Sequence, residues 1–464
     1  MKKILIISLI CLGLAANTGA LELSGGELHG FISQGYLNSS HNNFLSHDSK
    51  DGSFEYMEMG ISFNRWITSG LSAGFQLFAK DLGKAENQEV KLDWAMLNYR
   101  WKPWMNAKAG RFKLKTGLYN DTRDIDMVRP WALLPQSCYL EYFRDPSLSV
   151  DGGALYGTLP AGKIGDLSYE VYYGTQDFNP DRDGAMTRYI EDVTTFLPDK
   201  TDDYDVDSRW GINLEWATPL EGLMIGGSRS AIDMEIAATF LEDTFGGPPM
   251  VNVVQSFDPV SATTTVATTV TTMAVRAGDL IDTRFTEFEE QFYYIKYSRG
   301  NLELTGECWH QDQTQKSTVT STGDVMAVTE TTTIPAAGPP TTTTAVNVLA
   351  SGWDNTQRMR RESLGYYVTA AYRFSDWFQL AGYYSLAYPD KDDKNGHDKE
   401  AAGKKDYEAW LRDTCITLRF DVGANWIFKV ENHFMDGAAY LNPADNSDYE
   451  RHWNMVVAKA TYMF

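Results

Sequence analysis

The segment 115–148 combines acidic, basic and apolar side chains more densely than the polar stretches around it. The charged residues in it that could act together are Asp121, Arg123, Asp124, Asp126 and Arg129. Carboxylates and cations held across a narrow, partly desolvated space create a strong local field, because Coulomb interactions grow as the effective dielectric falls. Such a field discriminates between ions. The chemistry of this segment is therefore selection of charged or polar solutes.

Charges can act in this way only on a rigid scaffold, and the sequence predicts one built of strands. Segments of about 10–13 residues with period-two alternation recur along the chain. They are 28–39, 54–66, 71–82, 90–101, 105–114, 149–159, 166–176, 208–217, 222–236, 289–299, 302–313, 362–374, 377–388, 409–420, 424–435 and 452–464. Seven very short turns alternate with eight long polar loops. An even number of strands with this rhythm predicts an all-β fold, a transmembrane antiparallel β-barrel of about 16 strands with short periplasmic turns and long extracellular loops.

The last strand carries the clearest alternation. Phe464, Tyr462, Ala460, Ala458 and Val456 suit lipid, whereas the residues between them are largely ones that can meet water. We expect Phe464 and Tyr462 to form the C-terminal assembly signal that the barrel-assembly machinery reads. A soluble all-β protein also alternates, and alternation by itself leaves that alternative open. The aromatic density and the loop rhythm favour the membrane barrel.

The N-terminus indicates export. Residues 1–20 consist of a basic start, a short apolar run and small residues ending at Ala20, which predicts a signal peptide. The barrel then comprises 21–464. The apolar run is shorter than the roughly 20 residues that a spanning helix needs. The mean hydropathy of −0.35 fits a barrel, in which every second strand residue faces the lumen.

The sequence predicts that the segment 115–148 folds into the barrel, packs its apolar residues on the wall and presents its charges to the pore. Before it, Phe112 and Leu114 are assigned to the lipid face, so that Arg111, Lys113 and Lys115 point inward. Other inward cations on the lumen wall are Lys296, Arg373, Arg419, Lys429 and Lys459. The alternative is an ordinary solvated lumen in which no single charge controls transport.

Two long loops, 237–288 and 314–361, are rich in threonine. Threonine and valine favour extended structure, and Pro339-Pro340 interrupts it. We expect either flexible extracellular loops or a β-ribbon that continues the strands above the membrane.

Composition excludes several functions. A formal net charge of −21 makes nucleic acid an unsuitable partner. Cys138, Cys308 and Cys415 remain after the signal, and their spacing matches no metal motif. Neither GxSxG nor HExxH occurs. No enzyme activity, cofactor or metal is expected.

The chain resembles Gram-negative outer-membrane porins of the sixteen-stranded type with a constricting third loop. The block GRFKLKTGLYNDTRD…RPWALLPQSCY is similar to one in a family of proteobacterial porin-like proteins. The resemblance implies a homotrimer and passive diffusion. The GRFK start is also similar to that of phosphate-selective porins, but the segment has at least as many acids as bases and no arginine ladder.

Together these features predict an outer-membrane diffusion channel for small hydrophilic solutes or ions. Its partners would be outer-membrane lipid and lipopolysaccharide. The alternative is a surface adhesin or receptor that acts through the threonine-rich loops.

Overall fold

The protein is described here by a computed structural model covering residues 21–23, 25–83, 88–177, 199–245 and 249–464. The predicted signal peptide lies outside the described residues. In chain order the strands are β1 (Leu21–Leu23), β2 (Gly26–Ser39), β3 (Met57–Trp66), β4 (Leu71–Asp81), β5 (Lys91–Lys102), β6 (Met105–Lys113), β7 (Ser149–Pro160), β8 (Asp166–Asp177), β9 (Asp199–Ala217), β10 (Leu223–Phe240), β11 (Thr244–Phe245), β12 (Met250–Asp258), β13 (Thr263–Val275), β14 (Leu280–Arg299), β15 (Leu302–Ile334), β16 (Thr341–Ser375), β17 (Phe378–Tyr388), β18 (Leu411–Val422), β19 (Trp426–Gly437) and β20 (His452–Met463).

Sixteen of these strands close into an antiparallel barrel. From β2 onward each barrel strand pairs with its neighbour in the chain, except that β10 pairs directly with β14. The last strand, β20, pairs with β2 from Met463 opposite Phe31 to Met455 opposite Ser39. Closure leaves no barrel strand with an unpaired edge, as a structure surrounded by hydrocarbon requires. The predicted fold class and strand number are confirmed.

In the part of the chain that the structure describes, helical structure is confined to short pieces. They are the α-helices Arg144–Leu148 and His397–Ala401 and the 3₁₀ turns Asn120–Thr122, Asp126–Val128, Glu141–Phe143, Gly162–Ile164, Asp406–Ala409 and Pro443–Asp445. Within the described ranges, every helix is too short to cross a membrane.

Alternation along the strands separates an exposed apolar face from a buried one. In β18, Ile416 and Leu418 are exposed, whereas Cys415 and Thr417, which alternate with them along the strand, are buried. In β9, Trp210 and Leu214 are exposed. The apolar exposed face is the outside of the barrel, and the buried face is the lumen side.

At the closing pair of strands, Phe464 departs from the predicted lipid exposure and is 6% exposed. Its backbone N–H donates to the Gly30 carbonyl and its carbonyl accepts from the Gly30 N–H, both at 3.0 Å. The Phe464 ring fills the space that a side chain at residue 30 would occupy. Glycine at that position therefore lets the terminal ring pack on the wall.

The threonine-rich segments form a β-ribbon rather than flexible loops. Strands β15 and β16 contain 33 and 35 residues, about three times the 9–11 residues that cross a bilayer. Beyond the barrel β15 pairs with β16 on one side and with β13 on the other, and β13 in turn pairs with β12. Within the segment 314–361 strand structure continues to Ile334 and resumes at Thr341, as the ribbon alternative predicts.

The ribbon is a single layer with an apolar stripe. Val251, Val270, Val328 and Val346 lie opposite one another across its four strands. Val251 and Val346 are 62% and 63% exposed. Cross-strand threonine pairs add hydrogen bonds, as between Thr269 and Thr329 at 3.0 Å. The stripe stabilises strand pairing but leaves apolar surface open to solvent.

Candidate functional site: an inward-folded loop

The long connection between β6 and β7, residues 114–148, lies inside the barrel. Trp131 and Leu134 are fully buried and belong to one apolar cluster with Phe292 and Tyr367, which are on the lumen face of β14 and β16. Tyr139 stacks on Phe292 with ring centroids 6.1 Å apart. The apolar side of the segment therefore packs on the barrel wall.

A buried ion-pair network attaches the loop to the last two strands. Asp126 Oδ1 lies 2.9 Å from Lys429 Nζ and 3.3 Å from Lys459 Nζ. Asp126 Oδ2 accepts a hydrogen bond from Thr461 Oγ1 at 2.8 Å. Lys459 also pairs with Glu58 on β3, at 2.6 Å. One loop carboxylate thus joins β19 and β20, and the network extends to β3.

Wall charges also satisfy the backbone of the loop. Lys429 Nζ donates to the carbonyls of Asp126, Arg129 and Trp131 at 2.6–3.0 Å. Glu431 accepts the N–H groups of Ala132 and Leu133 at 2.7 and 3.2 Å. Buried backbone groups need partners, and in this irregular segment the partners are side chains of the wall.

The electrostatics of Asp126 follow from this geometry. Burial opposes its ionisation, but the charges of Lys429, Lys459 and Arg129 outweigh burial and hold the pKa of the Asp126 carboxyl well below its usual range. The carboxylate is therefore ionised at neutral pH.

A second network lies on the opposite flank of the loop. Asp124 accepts from Lys113 at 2.7 Å and from Arg144 at 2.6 Å. Both cations also pair with Asp93 on β5, at 3.0 Å. Glu141 pairs with Lys80 on β4. The loop is consequently tied to the wall on two sides.

These contacts correct the predicted orientation of the loop charges. Arg123, Asp124, Asp126 and Arg129 are all buried against the wall, at most 4% exposed, rather than presented to the pore. The wall cations Arg419, Lys429 and Lys459 also lie beneath the loop, where they contact it. A buried charge is stable only when it has a partner of opposite charge. The loop charges therefore face the wall that supplies these partners, and the number of charges in the sequence did not indicate this orientation.

Arg111 is also placed differently from the prediction. Phe112 and Leu114 are fully buried on the lumen side with Val150, so their predicted lipid face is wrong. Arg111 lies opposite Asp151 in the ladder and pairs with it at 2.6 Å, on the face that carries exposed Leu155. Packing on the wall residues Val150, Ala154 and Tyr172 makes Phe112 and Leu114 inner residues.

Further charges lie where the first part of the loop meets the wall. Lys115, 31% exposed, pairs with Glu215 on β9. Lys108 on β6 pairs with Glu170 on β8 at 2.9 Å. Burial raises the pKa of the nearby Asp121 carboxyl, an effect that Lys115 opposes and Glu170 adds to. This mixed group of charges joins the start of the loop to β6, β8 and β9.

The two other predicted wall cations are partly exposed and paired. Lys296 lies 2.9 Å from Glu303, and Arg373 lies 2.7 Å from Asp421. At the short-turn end a cavity of about 460 Å³ lies under the loop and is lined in part by Ile125, Met127 and Asn425.

One residue that holds the loop, Glu307, was not predicted from the sequence. Glu307 accepts from Tyr139 and Tyr367 hydroxyls at 2.8 and 2.6 Å and from the Leu118 N–H at 2.8 Å. Glu307 shares the lumen face of β15 with Thr305. Alternation could have placed it inward, but no sequence signal links it to the loop.

Comparisons with known proteins give fold likenesses. Neither a protein-family model nor a curated protein sequence matches the chain. The outer membrane channel DcaP of Acinetobacter baumannii is similar with a TM-score of 0.48, 9% identity and coverage of 96% of this chain and 100% of that chain. OmpF of Salmonella typhi has a TM-score of 0.48 and 13% identity over 96% and 100%. The anion-selective porin from Comamonas acidovorans has a TM-score of 0.46 and 10% identity over 95% and 99%. At TM-scores under 0.5 these likenesses carry no functional weight.

Proposed function

We propose that the protein is an outer-membrane diffusion channel that conducts small hydrophilic solutes or ions between the inward-folded loop and the charged wall of β6 to β9. The observation that supports it best is the double attachment of the loop, through Asp126 on one flank and Asp124 on the other. A closed barrel whose lumen is narrowed by a rigid segment passes solutes by size and charge.

The proposal includes location and assembly. The exposed apolar belt would contact outer-membrane lipid, with lipopolysaccharide at the long-loop end. The C-terminal strand with Tyr462 and Phe464 would be read by the barrel-assembly machinery. A homotrimer is part of the proposal, and chemical cross-linking of intact membranes would test it.

Planar-bilayer recording tests the channel function. We expect discrete conductance steps from the wild-type protein. Replacing Lys115 by Gln should shift the reversal potential toward cations, because it leaves Glu215 uncompensated. Arg111→Gln is the matched control and should leave the potential unchanged, since Arg111 lies on the outer face. Correctly inserted protein without conductance would contradict the proposal.

The ribbon supports a second candidate, a surface receptor or adhesin. Its apolar stripe exposes Val251 and Val346 by more than half, and exposed apolar patches commonly mark interaction sites. A chain in which residues 249–274 and 324–351 are replaced by short linkers should keep its conductance. Loss of surface attachment by cells expressing that chain would favour this candidate, and unchanged attachment would oppose it.

A further inference from the structure

The inner face of β18 and β19 carries a cluster formed by Cys415, Glu431 and His433. Within this cluster Glu431 contacts the backbone of the loop. Cys415 and His433 lie directly opposite each other in the ladder. Cys415 Sγ is 3.9 Å from His433 Nε2, and Glu431 Oε2 is 3.4 Å from the same nitrogen. All three side chains are at most 1% exposed.

These separations fit a tetrahedral metal site. With Zn–S of about 2.3 Å and Zn–N and Zn–O of about 2.0–2.2 Å, tetrahedral angles place sulfur and nitrogen about 3.6 Å apart and nitrogen and oxygen about 3.4 Å apart. The ligand atoms of Cys415, Glu431 and His433 all lie within 4.8 Å of one another. One ion could therefore contact all three with small side-chain adjustments.

Asp413 provides the support that a metal-ligating histidine usually has. His433 Nδ1 donates to Asp413 Oδ2 at 2.9 Å, which leaves Nε2 as the nitrogen facing the cluster. Tyr383 also donates to Asp413 Oδ2, at 2.8 Å. A ligating histidine typically donates its other ring N–H to a carboxylate, which fixes the ring and increases its basicity.

The cluster also holds two buried carboxylates. Among the described residues, Asp413 and Glu431 form their ion pairs with His433. Within the same part of the chain, Asp413 Oδ1 is buried without a hydrogen-bond partner. A divalent ion would balance the thiolate and Glu431.

We propose that Cys415, His433 and Glu431 bind one Zn²⁺ ion, with Asp413 orienting His433 and a water molecule as the fourth ligand. Thiolate, imidazole and carboxylate together suit zinc rather than the hard cations Mg²⁺ or Ca²⁺. Binding releases the thiol proton, and the imidazole proton if present, to solvent.

The site would also strengthen the attachment of the loop. Glu431 accepts the N–H groups of Ala132 and Leu133, so its carboxylate would join the ion to the loop backbone. The loop covers the cluster, and a bound ion would exchange only after the loop leaves the wall. The inference is independent of whether the barrel conducts.

The test is metal analysis of the full-length protein in detergent. After unfolding in chelator and refolding with Zn²⁺, we expect about one zinc per chain. Refolding with Co²⁺ should give a thiolate-to-cobalt charge-transfer band. Cys308→Ser is the matched control, because Cys308 lies on β15, three strands from β18 around the barrel, and it should keep both signals. Cys415→Ser should lose the band and bind zinc at least tenfold more weakly.

A second variant keeps the test decisive if Cys415→Ser does not refold. Asp413→Asn should lower zinc affinity by about 10–100-fold, as expected for a group that supports a ligand, with the cobalt band retained at saturating Co²⁺. Wild-type protein that refolds without stoichiometric zinc, or a cobalt band that survives in folded Cys415→Ser, would overturn the proposal.

Discussion

The Lys429 ammonium lies 2.9 Å from the Asp126 carboxylate, and both side chains are almost completely shielded from solvent. The two residues are 303 positions apart in the chain. Their contact places a loop that follows the sixth strand against the nineteenth. The position of the loop inside the lumen therefore depends on an ion pair between residues that are far apart in the sequence.

Replacing Asp126 by Asn should weaken this attachment strongly. The change leaves Lys429 and Lys459 buried without their shared carboxylate, and removing one member of a buried pair costs about 3–5 kcal/mol. We expect a lower urea midpoint for loss of the folded barrel and larger, noisier conductance steps.

Asp312→Asn is the control for Asp126. Asp312 pairs with Arg360 at 2.7 Å on an exposed surface, and exposed pairs contribute little. Equal effects of the two substitutions on midpoint and conductance would show that the loop is not held by Asp126.

Acidification should shift ion selectivity through Asp121. Burial raises the pKa of Asp121, so this carboxyl takes up its proton at a higher pH than the ordinary value of about 3.9. As pH falls, the lumen loses this negative charge next to the basic side chains of Lys108 and Lys115. Glu170 and Glu215 face the same region. Cation preference should therefore decrease on acidification.

Reversal potentials recorded as a function of pH measure this shift. Asp121→Asn should remove the earliest part of the change and mimic the acidic state at neutral pH. Asp448→Asn, at an exposed position of the last long loop, should keep the wild-type profile. An unchanged profile in Asp121→Asn would assign the titration to another group.

Asp279 should control the stability of the ribbon at its base. Its carboxylate accepts from Ser321 Oγ at 2.6 Å and from the Thr322 N–H and hydroxyl at 2.9 and 2.7 Å. Burial opposes ionisation, but these donors lower the pKa of Asp279 to about 2. Because the folded pKa is depressed, the stabilisation is fully present above the ordinary value near 3.9. It is lost as pH falls toward about 2.

Asp279→Asn replaces one of the two acceptor oxygens with an amide nitrogen. We expect the free energy of local unfolding of the ribbon to fall by about 1.5–3 kcal/mol, the contribution of one charge-assisted hydrogen bond. Limited proteolysis of intact protein at neutral pH should show faster cutting in the ribbon. Asp258→Asn, at the exposed tip, is the control. Equal cutting rates in the two variants would contradict a special role for Asp279.

Gly365 should be intolerant of a side chain. A Cβ there would overlap the carbonyl oxygen of Ser137 in the loop, and overpacking costs about 1–3 kcal/mol. We expect Gly365→Ala to lower the unfolding midpoint and alter conductance. Gly306→Ala on the adjacent strand meets its nearest atom at 3.5 Å and should behave like wild type.

The barrel itself was predictable because strand, turn and alternation are local properties. Sixteen strands and the inward faces of Lys429 and Lys459 followed from period-two patterns within single segments. The threonine-rich runs indicated extended structure. No local signal in the sequence indicated that β13, which contains the first run, pairs with β15, which contains part of the second.

The errors arise from contacts inside the lumen. An apolar residue on a barrel strand normally faces lipid, but Phe112 faces inward and packs on Val150, Ala154 and Tyr172. Asp126 of the loop neutralises Lys429 and Lys459, which were predicted to be open pore charges. Which partner each charge meets depends on contacts across hundreds of residues, and periodicity carries no information on such contacts.

The attachment points of the loop have a consequence for biogenesis. Asp126 bridges the two final strands, and through Lys459 the bridge reaches Glu58 near the other margin of the seam. The loop therefore acts as an internal brace across the joint where the cylinder seals. A nascent barrel still open at that joint would lack the brace, so constriction and sealing would be completed in the same step.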